Sequence, residues 1–240
     1  MGGGVQVEVG QWTSDILAEA RGARLHALAA ANASGSGLDA LVIPANSKIT
    51  SPEQLRGRSV LVNVMGGLAE MLSASVLEGF QVQPSQTHYV VDPFPKIASA
   101  LQRGDAAAAM LPEPFLTQAE ENLGMNVLVD LNQGAVADFP LAGYVAASSW
   151  VRKNPRVATA FVSALIKGQA QAATDRAAVE QVLPQYVGIT KVSASLVALG
   201  SYPINLQPAQ LDRVGLLMRQ FGMLGSSVNV DTLIHQMMTG

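Results

Sequence analysis

Three short stretches carry residues whose types and spacing could do chemistry. In "AMLPEPFLTQ" Glu113 stands between Pro112 and Pro114. Proline fixes its own φ and restricts the residue before it, so this carboxylate is presented from a stiff support. Pro114 suits the first position of a helix and leaves Glu113 at a strand-to-helix junction. There it can accept hydrogen bonds from a ligand amine or hydroxyl, or cap the helix behind it, and the two roles are compatible. In "NVMGGLAEML" Met65, Gly66 and Gly67 follow an apolar run. The glycines either let backbone N–H groups approach an anion at a helix N-terminus or form a tight structural turn. In "VGQWTSDIL" Thr13 or Ser14 is placed to cap a helix. The aromatic residues Trp12, Phe94, Phe115 and Phe139 each fall at or beside a strand-to-helix or loop junction, which suits the apolar walls of a small-molecule cleft as well as ordinary packing.

Other chemistries find no support. His26, His88 and His235 are isolated and show no metal-ligand spacing. Ser148-Ser149 lacks a nucleophile elbow, and no dinucleotide fingerprint or P-loop occurs. With no cysteine there is no disulfide and no thiolate site. A formal net charge of −3, with scattered Lys and Arg, excludes a basic nucleic-acid footprint. No cofactor, metal or catalytic set is implied. The 49% apolar and 14% charged composition over 240 residues describes a folded chain with an ample interior. The opening "MGGGVQVEVG" reads without an export signal, lipobox or membrane anchor.

The elements that must position these residues can be read from periodicity. Strand, helix and strand are expected over Val5 to Val9, "TSDILAEARG" and Arg24 to Ala30, with a flexible turn over Asn32 to Gly37 before the apolar run "LDALVIP". Ser51, Pro52 and Gln54 read as a capping box. Three strand–turn–helix units follow, with turns at Gly66-Gly67, at Asp92-Pro93-Phe94-Pro95 and at Pro112-Glu113-Pro114, and with helix stops at Gly79, Gly104 and Gly124. This alternation predicts right-handed crossovers and a mainly parallel sheet. Strands are also expected over Asn126 to Leu131 and Leu141 to Ser149. After Trp150 the chain reads as helical, with Val157, Ala160, Phe161, Ala164, Leu165 and Gly168 on one face of a helix opened by Asn154-Pro155, then helices over 175–185, 208–221 and 230–238. Met218, Met223, Met237 and Met238 read as core filling, and the helical Asp and Glu residues as a solvated face.

In order and spacing, "KITSPEQLRGRSVLVNV", "PFPKIASALQRGDAAAAMLPEPF" and "FPLAGYVAASSWVRKNPRVATAFVSALIKG" resemble the solute-binding proteins of ABC importers of the nitrate/sulfonate/taurine and thiamine-pyrimidine-precursor (NMT1/THI5-like) type. The resemblance implies an α/β chain with the type II periplasmic-binding-protein fold: two α/β lobes joined by crossover strands, here "LDALVIP" and "LAGYVAASS". Residues 1–49 and 142–240 would form lobe 1 and residues 50–141 lobe 2, with lobe 1 lacking the family's opening strand, helix and strand. It implies a small polar or anionic organic solute, sulfonate-, taurine-, nitrate- or pyrimidine-like, held between the lobes by Trp12, Thr13, Ser14, Met65, Gly66, Gly67, Phe94, Glu113, Phe115 and Phe139. The implied partner is an ABC permease, the implied location periplasmic or cell-surface, and a homo-oligomer could complete the shortened lobe. An enzyme on the same fold, with His88, Asp92 and Glu113 as candidate groups, and a non-transport remnant are the competing readings.

Overall fold

The computed structural model describes residues 5–239. In chain order the elements are β1 (Val7–Gln11), α1 (Trp12–Ala20), β2 (Leu25–Ala33), β3 (Asp39–Ile43), β4 (Ser59–Val62), α2 (Leu68–Gly79), β5 (His88–Val91), α3 (Phe94–Arg103), β6 (Ala108–Pro112), α4 (Phe115–Leu123), β7 (Asn126–Asp130), β8 (Pro140–Ala147), α5 (Ser148–Lys153), α6 (Pro155–Thr174), α7 (Arg176–Val187), α8 (Lys191–Leu196), α9 (Pro208–Gln220) and α10 (Val230–Thr239). Two compact units result. Unit 1 takes the described residues through Ala33, Phe139–Arg176 and those from Ser201 onward, and unit 2 takes Ser34–Asp138 and Ala177–Gly200.

Unit 2 is built on a five-stranded sheet of order β5-β4-β6-β3-β7. The strand–turn–helix units behave as their periodicity predicts, and β4 runs parallel to both β5 and β6. The sheet is mixed rather than mainly parallel, because β3 is antiparallel to both β6 and β7. Buried on both faces, β3, β4 and β6 are near-continuous apolar runs. Ile97, Ala100 and Leu101 of α3 and Leu116 and Ala119 of α4 close one layer of core over Ala40, Val42, Leu61, Ala109 and Leu111. Gly104 and Gly124 end those two helices in the left-handed conformation (φ +86° and +60°), which glycine adopts without a Cβ penalty.

Unit 1 holds a three-stranded sheet of order β1-β8-β2, with both outer strands antiparallel to β8. Trp12, Ile16, Leu211, Val214, Met218, Ile234 and Met237 are buried in this unit. The unit boundaries at 33/34 and 138/139 differ from the 49/50 and 141/142 read from sequence. Residues 34–49 join unit 2 because β3 is laddered on both sides within its sheet. Residues 177–200 join it as well, since the Ala198 N–H and the Ser193 hydroxyl donate to Glu113 and Glu121.

Several local expectations change. Helix α1 starts at Trp12 with Gln11 at its N-cap, so Thr13 and Ser14 lie inside the first turn instead of capping it. Pro114 occupies the N-cap of α4 rather than its first helical position, and the Glu113–Pro114 peptide bond is cis. Gln54 accepts from the Thr50 N–H, so the capping box is not formed at Ser51. Strand β2 runs through Ala33, so the turn begins later than Asn32. Ser148 and Ser149 open α5 rather than close a strand. On α6 the fully buried residues are Ala158 and Gln169; of the expected face Phe161 and Leu165 are half-buried, Phe161 packing on Tyr144, while Val157 is exposed. The Gln169 amide explains the difference, because it donates to the carbonyls of Ala30 and Ala31 and fixes which side of the helix turns inward.

Candidate functional site

In unit 1 the first turn of α1 is a cluster of buried polar side chains. Trp12 and Thr13 are almost wholly buried, and Asp15 is buried beside them. The Trp12 Nε1, Thr13 Oγ1 and Asp15 Oδ2 atoms have no hydrogen-bond partner. Two glycines permit the arrangement. A Cβ on Gly143 would lie 1.8 Å from the Trp12 ring, so the bare β8 backbone is the surface the indole lies on. A Cβ on Gly10 would lie 2.5 Å from Asp15 Oδ1, which places that carboxyl back over the strand-to-helix junction. Burial, with a further push from Glu8, raises the Asp15 pKa from 3.8 to about 7. Ser14 is exposed on the same turn. Nothing in the sequence marks Asp15 out, because acidic residues on helices read as solvated. Asp15 and Glu19 are instead buried.

In unit 2 the β4-to-α2 turn holds Met65, Gly66 and Gly67. Gly66 has φ +69°, and a Cβ on Gly67 would meet Val64 Cγ1 at 2.4 Å, so each glycine is required for a separate reason. The Gly66 N–H donates to Glu70 Oε2 at 2.8 Å, so this helix N-terminus is served by a carboxylate of its own. Met65 is exposed, and the buried Asn63 Oδ1 just before it lacks a partner. Asn63 is absent from the sequence-selected set, although a lone amide at the end of the run "SVLV" is a visible signal.

Glu113 follows β6 and turns its carboxylate onto α4. Its Oε2 accepts from the Thr117 N–H at 3.1 Å, while Oε1 accepts from the Thr117 hydroxyl at 2.8 Å and from the Ala198 N–H at 3.1 Å. The capping reading is therefore realised, with a tie to the segment after α8 in addition. Phe94 and Phe115, half-buried, stack with centroids 5.7 Å apart. Phe139 belongs to unit 1 and is wholly buried, with Arg213 Cζ 5.3 Å from its ring centroid. At the start of β3, Asp39 is 6% exposed with Oδ2 unpartnered. Burial, then the charges of Asp130 and Glu113, raises its pKa from 3.8 to about 7.

The ten sequence-selected residues thus divide between the units: Trp12, Thr13, Ser14 and Phe139 in unit 1, the other six in unit 2. Among the described residues no group of His, Cys, Asp and Glu is placed to hold a metal ion, and no helix is long and apolar enough to cross a membrane.

An α/β chain of two sheet-based units with polar clusters at helix N-termini has the architecture of periplasmic binding proteins. Residues 3–178 match the family model described as NMT1/THI5 like, and the chain belongs to that family. No curated protein sequence matches it. Among solved structures it is similar to the alkanesulfonate-binding protein SsuA from Xanthomonas axonopodis pv. citri bound to MOPS, with a TM-score of 0.82 and 14% identity over 96% of this chain and 80% of that one. It is also similar to the periplasmic nitrate-binding protein NrtA from Synechocystis PCC 6803, with a TM-score of 0.79 and 14% identity over 98% of this chain and 71% of that one. The desulfurization enzyme DSZB shares the fold with a TM-score of 0.73 and 17% identity over 95% and 82% of the two chains.

Proposed function

We propose that the chain is the substrate-binding component of an ABC importer, which captures a small polar organic solute and delivers it to a permease from the periplasm or the cell surface. Family membership and the sulfonate- and nitrate-binding neighbours support the class. The observation that carries the site is the set of three buried, unpartnered polar atoms on Trp12, Thr13 and Asp15 in one helical turn. A buried polar group left unpaired costs about 1–3 kcal/mol, so a ligand that pairs these atoms recovers that cost on binding. The proposed contact set in unit 1 is Trp12, Thr13, Ser14 and Asp15, with Phe139 as interior support. In unit 2 it is Met65, Gly66, Gly67, Phe94, Glu113 and Phe115.

The charge of these positions narrows the solute. A helix N-terminus open to an anion offers bare N–H groups, but α1 has Asp15 in its first turn, α2 has Glu70 on Gly66, and α4 has Glu113 on Thr117. Carboxylates at all three favour a solute that supplies hydrogen-bond donors. That is an amine-bearing or aminopyrimidine-like compound, or a taurine-like zwitterion, in preference to nitrate or a simple sulfonate. A thermal-shift titration of taurine, an aminopyrimidine, an alkylsulfonate and nitrate against the wild type and Thr13→Ala tests this. Stabilisation by the donor-bearing compounds that weakens in the variant supports the reading, and stabilisation by nitrate or alkylsulfonate alone refutes the solute class.

A second reading is an enzyme on this fold, favoured by the DSZB neighbour. Turnover of a bound solute by the purified chain would establish it, with His88 and Asp92 as the first residues to replace, since both Glu113 oxygens already accept hydrogen bonds. The homo-oligomer is likewise a proposal. Strand β1 pairs on one side, with Val5 and Val9 exposed, and the mass in solution measures whether a second copy binds.

A further inference from the structure

The geometry points to a second binding site in unit 1, across the sheet from the first turn of α1: a gap between β2 and α6 that takes a neutral linear amphiphile, an unbranched alkyl chain of medium length with one hydroxyl head. Two cavities, of about 290 and 470 Å³, meet in this gap and share Leu28 and Val162 as walls. The larger falls within the range of ligand pockets, about 300–1,000 Å³, and the smaller at its lower edge. The Trp12 ring lies against Gly143 of β8, whereas Tyr144, the next residue, meets Phe161 of α6 edge-on with centroids 5.7 Å apart. Successive strand residues point to opposite faces, so α1 and α6 cover opposite faces of this sheet.

The gap has a structural cause. Along α6 the cavity walls are Pro155, Ala158, Thr159, Val162, Ser163 and Ile166. Their spacing of three and four residues makes one helix face, which runs about 16 Å at 1.5 Å per residue. That face is held in by the two buried residues of the helix, Ala158 and Gln169, the second through its amide on the Ala30 and Ala31 carbonyls. Between those anchors Val162 and Ile166 are half-buried. On the other side β2 bulges, Leu28 being an extra residue between Ala27 and Ala29, which pair with Val145 and Tyr144 of β8. Strand and helix therefore stand apart where the two cavities meet.

The chemistry of the walls selects the ligand. Neither cavity is lined by Asp, Glu, Lys or Arg, so a charged head would lose its water without gaining a counter-charge. Thr159 and Ser163 donate their hydroxyl protons to the Pro155 and Thr159 carbonyls, the Gln207 side chain is engaged in the capping box of α9, and Asn205 is exposed to solvent. His26 is the half-buried polar group with capacity to spare. Its Nδ1 is buried and meets no acceptor for a proton, and burial lowers its pKa, so the neutral ring carries its proton on Nε2 and offers that edge to the cavity. A hydroxyl head that accepts from His26 sends the chain past Leu28 and Val162 into the larger cavity, over Ile166, Leu206 and Met238.

Calorimetric titration of the whole chain with 1-octanol, 1-butanol and octanoate tests the site. The expected result is saturable binding of 1-octanol, an affinity that falls about fourfold for each CH₂ removed toward 1-butanol, and octanoate at least tenfold weaker than 1-octanol. His26→Ala should weaken 1-octanol about fivefold through the lost hydrogen bond. Val162→Phe and Ile166→Phe each fill the gap from a different turn of α6 and should weaken 1-octanol at least tenfold. Both side chains border open space, so circular dichroism should show the fold retained. Thr13→Ala should leave this binding unchanged, which separates it from the solute site. Absence of saturable 1-octanol binding below its solubility limit, unchanged affinity in the two folded Phe variants, or octanoate binding as tightly as 1-octanol overturns the inference.

Discussion

Replacing Asp39 with asparagine should stabilise the protein, and by more as the pH rises. The carboxyl is buried at the start of β3, one oxygen has no partner, and Asp130 and Glu113 both oppose its ionisation. A folded-state pKa raised from 3.8 to about 7 makes the folded state bind the proton more tightly than the unfolded chain. The stability this contributes is fully present below about pH 4 and is lost as the pH rises through 7. Linkage puts the charging penalty at about 4 kcal/mol by pH 8 and under 1 kcal/mol at pH 4. The amide of the variant carries no such charge. Urea unfolding of wild type and Asp39→Asn at pH 4, 6 and 8 measures the difference. Asp15 titrates in the same range, so the variant-minus-wild-type difference isolates Asp39. A difference that stays flat across these pH values, or a variant less stable at pH 8, would refute the reasoning.

The other expectations concern the candidate site and its supports. Glu113→Ala removes the acceptor of three hydrogen bonds and should lower stability by about 1–2 kcal/mol, with Glu113→Gln losing less, as read by urea unfolding. Gly143→Ala drives a methyl group into the Trp12 ring and should cost about 3 kcal/mol while shifting tryptophan emission. An amine-bearing solute that stays protonated should bind about tenfold more tightly at pH 8 than at pH 6, because Asp15 passes from mostly neutral to mostly ionised around pH 7. Asp15→Asn should abolish that pH dependence, and a calorimetric titration at the two pH values decides it.

The strand–turn–helix units were legible because each carries its own punctuation: apolar strands bounded by Gly66-Gly67, Pro93 or Pro112, and helices stopped by Gly104 and Gly124. The family resemblance rested on those units together with the stretch "FPLAGYVAASSWVRKNPRVATAFVSALIKG", and the family match confirms it. What stayed hidden depends on partners distant in sequence. The antiparallel pairing of β3 follows from how its two neighbours are ordered in the sheet, which no local pattern encodes. Short helix α8 lies in a stretch of weak periodicity and is tied to a distant partner, its Ser193 hydroxyl donating to Glu121 Oε2 at 2.8 Å. The site was half legible. Helix N-termini, their glycines and the Glu113 carboxylate could be found from residue type, whereas the carboxylates of Asp15 and Glu70 could not. Asp15 and Glu19 look solvated in a helical wheel and become buried only when α1 is laid over Gly10 and the start of β2.

The central claim, that this chain binds a donor-bearing small solute through the first turn of α1, is tested most directly by measuring the melting temperature with taurine, an aminopyrimidine, an alkylsulfonate and nitrate in the wild type and in Thr13→Ala. A donor-bearing ligand at a hundred times its Kd should stabilise the wild type by about 2.7 kcal/mol, and the variant by clearly less. An unchanged melting temperature with every compound, or an equal rise in wild type and variant, would contradict the account.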